Sequence, residues 1–104
     1  MANYVQYKTT TETIQYTVDF TGILPSTDST IATSAVTATK SDGTTDNTVI
    51  TGVSDSGLTI TATFTGGTNG EDYLVKFQAP GTTSSKIREV FVELRVRDKL
   101  IGVV

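Results

Sequence analysis

Residues 86–98 read Lys86-Ile87-Arg88-Glu89-Val90-Phe91-Val92-Glu93-Leu94-Arg95-Val96-Arg97-Asp98. In an extended chain, side chains alternate between faces. Val90, Val92, Leu94 and Val96 then form one apolar row, while Glu89, Phe91, Glu93, Arg95 and Arg97 point the other way. At helical spacing the same residues would scatter charge and hydrocarbon around the whole cylinder, and β-branched side chains lose rotamer freedom in a helix. The stretch therefore predicts one long strand with a buried face and a wet face.

Working back from it, the same alternation recurs. Tyr73, Val75, Phe77 and Ala79 share a side in 71–79, and Leu58, Ile60, Ala62 and Phe64 do so opposite Thr59, Thr61, Thr63 and Thr65. Near the front, Ile14, Tyr16, Val18 and Phe20 oppose Thr13, Gln15, Thr17 and Asp19. Residues 30–40 carry Ile31, Val36 and alanines without strict alternation, which predicts a bulged strand or two short ones in series. A helix is the competing reading there, weakened by the many Thr and Ser residues. Thr48-Val49-Ile50-Thr51 predicts a brief strand, with Gly52–Gly57 as the return. Met1–Lys8, with Tyr4, Val5 and Tyr7, predicts either a short leading strand or an arm that docks on a neighbour.

Turn chemistry separates these runs. Pro25 cannot donate to a ladder, Asp42-Gly43 marks a tight reversal, and Gly66-Gly67-Thr68-Asn69-Gly70 and Pro80-Gly81 supply the remaining connections. The count is about seven strands, which predicts an all-β fold: a single β-sandwich of two packed antiparallel sheets. Tyr73, opening a strand after a glycine turn, is either the tyrosine corner of such sandwiches or a plain core aromatic.

The totals agree with one domain. The chain has 104 residues, enough for a modest core and too few for two comfortable ones. It contains no cysteine, so packing and not disulfides must hold it. A net charge of −3 opposes attraction to nucleic-acid phosphates. No run approaches the ~20 apolar residues of a membrane-spanning helix, and the N-terminus lacks a signal-peptide layout, which predicts synthesis in the cytoplasm and no membrane partner. Threonine is the commonest residue. The disordered-stalk reading of such a composition conflicts with the regular apolar rows.

Few residues offer chemistry. Without histidine or cysteine, the usual nucleophile and base arrangements are excluded. Glu89 and Glu93 share a strand face, but Arg95 and Arg97 continue that row, which suits solubility or a partner surface better than catalysis. Asp42, Asp46 and Asn47 lie in one loop without the EF-hand spacing, so a solvated turn is the better reading than a calcium site. The loop 66–70 joins two strands and has no lysine or following helix to cradle a phosphate. No catalytic, metal or cofactor residue is expected.

What remains is contact surface. Tyr4, Tyr7 and Phe91 are the aromatics off the core rows, and Phe91 either covers a neighbouring side chain or anchors an interface beside Arg95 and Arg97. The segment Leu100-Ile101-Gly102-Val103-Val104 is apolar throughout. It either folds back or docks on another chain, and docking is the reading preferred for Leu100, Ile101, Val103 and Val104. The expected layout is one domain over 1–104, with an N-terminal arm at 1–11 and a docking tail at 99–104.

The run from Ile14 to Asp98 resembles a family of small tailed-phage proteins, the fibre-to-tail adaptors. The likeness rests on Tyr16-Thr17-Val18-Asp19-Phe20, Asp28-Ser29-Thr30-Ile31-Ala32, Gly57-Leu58-Thr59-Ile60, Phe64-Thr65-Gly66-Gly67-Thr68-Asn69-Gly70-Glu71-Asp72-Tyr73, Arg88-Glu89 and Leu94-Arg95-Val96-Arg97-Asp98. Where members of that family carry tryptophans, this chain has Gly22-Ile23-Leu24 and Ala35-Val36-Thr37. The resemblance implies an immunoglobulin-like sandwich in a phage virion, joining fibres to the tail or neck in many symmetric copies. Its expected partners are other virion proteins of tail, neck, fibre or capsid, and copies of itself. Capsid decoration is the nearest alternative, and a carbohydrate-binding or adhesion module is the alternative of another class.

Overall fold

Val90, Val92, Leu94 and Val96 are all buried, and the strand that carries them, β7 (Ile87–Val96), is the longest among the described residues. The computed structural model describes residues 3–24, 27–84 and 86–98. Ahead of β7 come β1 (Asn3–Lys8), β2 (Ile14–Asp19), β3 (Ala35–Lys40), β4 (Ile50–Ser56), β5 (Thr59–Phe64) and β6 (Asp72–Pro80), with one 3-10 turn at Asn47–Val49. The described residues form an all-β sandwich of seven strands in two sheets, ordered β1-β7-β6-β3 and β2-β5-β4.

The apolar rows meet between the sheets. Phe20, Ile60, Phe64, Tyr73, Val75, Phe77, Val92, Leu94 and Val96 are at most 1% exposed. Tyr16, Phe64 and Phe77 form an aromatic cluster with ring centroids 5.7–6.3 Å apart, within the range where such pairs add to burial. Burying a side chain of this size stabilises by roughly 1.5–3 kcal/mol, so the row along each strand, repeated on both sheets, fixes the register.

The expected all-antiparallel arrangement needs one correction. β1 pairs with β7 in parallel, with Tyr4 opposite Val92 and Lys8 opposite Val96, whereas the other ladders are antiparallel. Parallel neighbours require a long connection, and here the entire domain between β1 and β7 provides it. Thus residues 3–8 of the expected arm form an edge strand of the larger sheet.

Two local expectations also shift. Residues 30–40 resolve into an isolated bridge between Ile31 and Gly81 followed by β3, which is the two-piece version of that strand. β4 runs on to Ser56 instead of ending at Thr51. Gly52, at φ +59°, does not reverse the chain but forms a bulge, since the β4 to β5 register slips between Thr51 and Ser54.

Two buried polar side chains tie the edges down. Lys8, 1% exposed, donates from Nζ to the carbonyls of Thr9 and Gly66 and so links β1 to the loop after β5. Burial holds its ammonium pKa below the usual lysine value, against the opposing pull of Glu12 and Asp98. Asp28, 3% exposed, accepts from the Thr83 amide at 2.8 Å, the Ser84 amide at 2.9 Å and the Ser84 hydroxyl, closing the loop 81–84.

Candidate functional site

The outer faces of the two sheets differ in chemistry. On the smaller sheet, Thr17 faces Thr61 with hydroxyls 2.9 Å apart and Thr13 faces Thr65 at 3.4 Å, flanked by Thr51, Thr59 and Thr63 along the same ladders. Apart from Gln15 and Asp19 on β2, this face is made of short uncharged hydroxyls, several in mutual hydrogen bonds, which leave little to grip. The larger sheet presents the opposite, because the strand positions pointing away from the core carry hydrocarbon and charge together.

Register places those residues in rows. Val5, Glu93, Leu74 and Thr39 lie side by side across β1, β7, β6 and β3, and Tyr7, Arg95 and Asp72 form the next row. Val5 and Leu74 are each 48% exposed and Tyr7 is 41% exposed, while Phe91 is half-buried between β1 and β6. Beside Leu74 lies a shallow depression of about 330 Å³, lined also by Thr39, Lys40, Ser41, Asp72 and Glu93. Exposed apolar side chains rimmed by charge are the composition of a contact surface.

Arg95 is pre-set within it. Its Nε and Nη2 donate to Glu93 Oε1 at 3.1 and 2.8 Å, and Nη1 donates to the Tyr7 hydroxyl at 3.0 Å. The guanidinium carbon is 5.7 Å from the Tyr7 ring centroid. The Tyr7 hydrogen bond, then that of Glu93, raises the guanidinium pKa above its already high value, so its charge is permanent. A rigid aromatic beside a held arginine is the pairing on which interfaces concentrate their energy.

Of the nine residues singled out in the sequence, Tyr7, Phe91 and Arg95 come together on this face. Tyr4 does not join them: it pairs with Val92, on the inner side of β1, and opens toward β2. Arg97 closes the end of the sheet, donating from Nη2 to Asp72 at 2.8 Å and from Nη1 to the carbonyls of Val96 and Glu71 at 2.9 and 3.3 Å. Leu100, Ile101, Val103 and Val104 lie outside the described residues. Sequence reasoning passed over Val5 and Leu74. The signal for Leu74 was its place between Asp72 and Lys76, an aliphatic residue out of step with the polar row.

The other oxygen-rich groups are accounted for by turns and pairs. Glu89 sits 3.6 Å from Lys76 and accepts from Gln78. Asp42 accepts from the Thr44 amide, Asp46 caps the 3-10 turn through Thr48, and Asn47 accepts from the Ala38 amide. In the glycine loop, Gly66 accepts from Lys8, the Thr68 amide donates to the Tyr73 hydroxyl at 3.1 Å, and Asn69 accepts from the Asp98 amide. The Tyr73 hydroxyl thus binds backbone five residues upstream and ties the glycine loop to the start of β6.

Set beside known families, residues 8–97 match the model described as podophage GP4 fiber-tail adaptor protein gp77, a span that runs from the last residue of β1 to one residue past β7. No curated protein matches the chain.

Proposed function

The chain belongs to the podophage fibre-tail adaptor family, a family of phage structural proteins, and from that premise we propose that it joins fibres to the tail or neck of the virion by contact alone. In this reading it is not an enzyme, needs no cofactor, and binds neither nucleic acid nor membrane. It is made in the host cytoplasm and assembles in many symmetric copies with tail, neck and fibre proteins. The single observation that carries the reading is the asymmetry of the sandwich, with a threonine-covered face on one side and the Val5, Tyr7, Leu74, Phe91 and Arg95 face on the other. The carboxylates of Glu89, Glu93, Asp72 and Asp42 are held against lysine, arginine or a turn amide. We read the whole of 1–104 as one immunoglobulin-like domain, since β3, β6 and β7 against β2, β5 and β4 reproduce the strand grouping of that class.

The alternatives gain no comparable support. A sugar platform would need its exposed rings on one face, and Tyr4 and Tyr7 project from opposite faces of β1. The matched family is one of fibre-tail adaptors, which supports the adaptor reading and not capsid decoration. Electron microscopy of intact particles tests the proposal: density for this sandwich is expected at the junction of tail and fibre, with the larger sheet against a neighbour. Density on the capsid shell would overturn it.

A further inference from the structure

The loop Gly66-Gly67-Thr68-Asn69-Gly70 contributes nothing to the contact face, yet three strands are tied to it. Gly66 accepts from Lys8 of β1, the Thr68 amide donates to the Tyr73 hydroxyl of β6, and the Gly70 amide donates to the Val96 carbonyl of β7 at 2.8 Å. The Asn69 side-chain carbonyl accepts from the Asp98 amide at 2.9 Å, and the Asp98 carboxylate accepts in turn from the Thr10 amide and hydroxyl at 3.0 and 2.9 Å. One step further, the Arg97 amide donates to the Lys8 carbonyl at 2.8 Å, so the end of β7 and the end of β1 are joined at the same place.

Asn69 is the one asparagine in the chain that is followed by glycine. In water that pair is chemically labile, because no Cβ on the glycine crowds the approach of its nitrogen. The Gly70 backbone nitrogen attacks the Asn69 side-chain carbonyl carbon and a C–N bond forms. The bond from that carbon to the side-chain nitrogen breaks, and ammonia leaves with the proton that the backbone nitrogen gives up. Water then opens the five-membered succinimide at one of its two carbonyls, which yields aspartate or isoaspartate. Nothing beyond water is consumed.

The fold requires both members of the labile pair. Gly70 sits at φ +89°, where a residue with a side chain is strained, and Asn69 supplies the acceptor for the Asp98 amide. Both residues are exposed, so water reaches them. What restrains the reaction is hydrogen bonding: the attacking nitrogen has its hydrogen committed to Val96, and the carbonyl under attack is held by Asp98. Both bonds must be released before the two atoms can join. We infer that Asn69 is a modification site gated by the fold, converting to isoaspartate only when the loop opens and unable to close it again afterwards. Isoaspartate adds one carbon to the main chain ahead of Gly70 and places a new carboxylate beside Asp98, so the Gly70 bond to Val96 loses its register. A particle outside a cell cannot replace its parts, and the opening rate of this loop then bounds the life of the β1 and β7 seam.

Peptide mapping by mass spectrometry of the purified full chain, aged in mildly alkaline buffer, tests this. Asn69 is expected to convert at least about tenfold more slowly in the folded chain than in guanidinium chloride, since native hydrogen bonds release only through local opening. Asp98→Ala frees Thr10 and loosens the strand end that reaches Asn69, and Tyr73→Phe removes the partner of the Thr68 amide. Each should speed conversion several-fold in a chain that still melts cooperatively. In the separated isoaspartate fraction, hydrogen exchange should show lost protection at the Gly70, Val96 and Arg97 amides and retained protection in β5. Equal rates in the folded and denatured chain overturn the inference, and that comparison decides even where a variant unfolds. Folded variants that convert at the wild-type rate, or an isoaspartate fraction with wild-type protection, overturn it as well.

Discussion

Asp28 and Gly81 constrain each other. A Cβ added at Gly81 would fall 2.3–2.7 Å from the Asp28 carboxylate, so only glycine lets that carboxylate reach the amides of Thr83 and Ser84. Gly81→Ala is therefore expected to cost about 1–3 kcal/mol by overpacking, read from chemical denaturation. The Ser84 hydroxyl, then the Ser84 and Thr83 amides, hold the Asp28 pKa below the ordinary carboxylate value. The sign follows directly: the folded state binds the charged form better, so this contribution is fully present above the ordinary pKa near ~3.9 and is lost as the pH falls through the folded-state value. Wild type should melt higher than Asp28→Asn at pH 7, and the gap should narrow as the pH falls below the ordinary carboxylate value. A gap that does not vary with pH would mean the carboxylate charge contributes nothing.

At the scale of the strand, alternation was legible wherever the inner row was apolar, and misleading where it was not. In β2, β5, β6 and β7 the residues expected inside are inside. In β1 the inner row is Tyr4, Gln6 and Lys8 while Val5 and Tyr7 face out, so the pattern suggested a short strand or an arm but not which strand it pairs with, and a parallel partner at the far end of the chain leaves no turn signal. Gly52 looked like a breaker and is a bulge, because a positive φ serves either purpose. What holds β1 in place of an apolar row is the Lys8 ammonium on the Gly66 carbonyl. Lys8→Met keeps the stem and leaves that carbonyl without its donor, which should cost about 1–3 kcal/mol. Lys8→Ala should cost more by losing the stem as well. Hydrogen exchange should show β1 amides losing protection before those of β6 in both variants, and uniform loss across the sheets would place Lys8 in the global core instead.

For the whole molecule, the sandwich is a device for holding two different surfaces back to back at fixed separation, and its function turns on which surface meets a partner. The outer-face cluster was half legible in the sequence: Phe91 and Arg95 stood out on the strand already identified, whereas Val5 and Leu74 reach them only through pairings the sequence did not reveal. Leu74 sits at the middle of the row, exposed on a central strand and bordered by Glu93 and Thr39, so a charge there opposes docking without entering the core. Thr61 occupies the equivalent central strand of the opposite sheet, its hydroxyl hydrogen-bonded to that of Thr17. Both Leu74→Asp and Thr61→Asp should leave the protein folded, with surface-scale changes in melting temperature. In particles assembled with each variant, Leu74→Asp is expected to lower incorporation by about tenfold or more, the loss of a contact worth ~1.4 kcal/mol, and Thr61→Asp to leave it near wild type. The reverse outcome would turn the molecule around and put the threonine sheet against its neighbour.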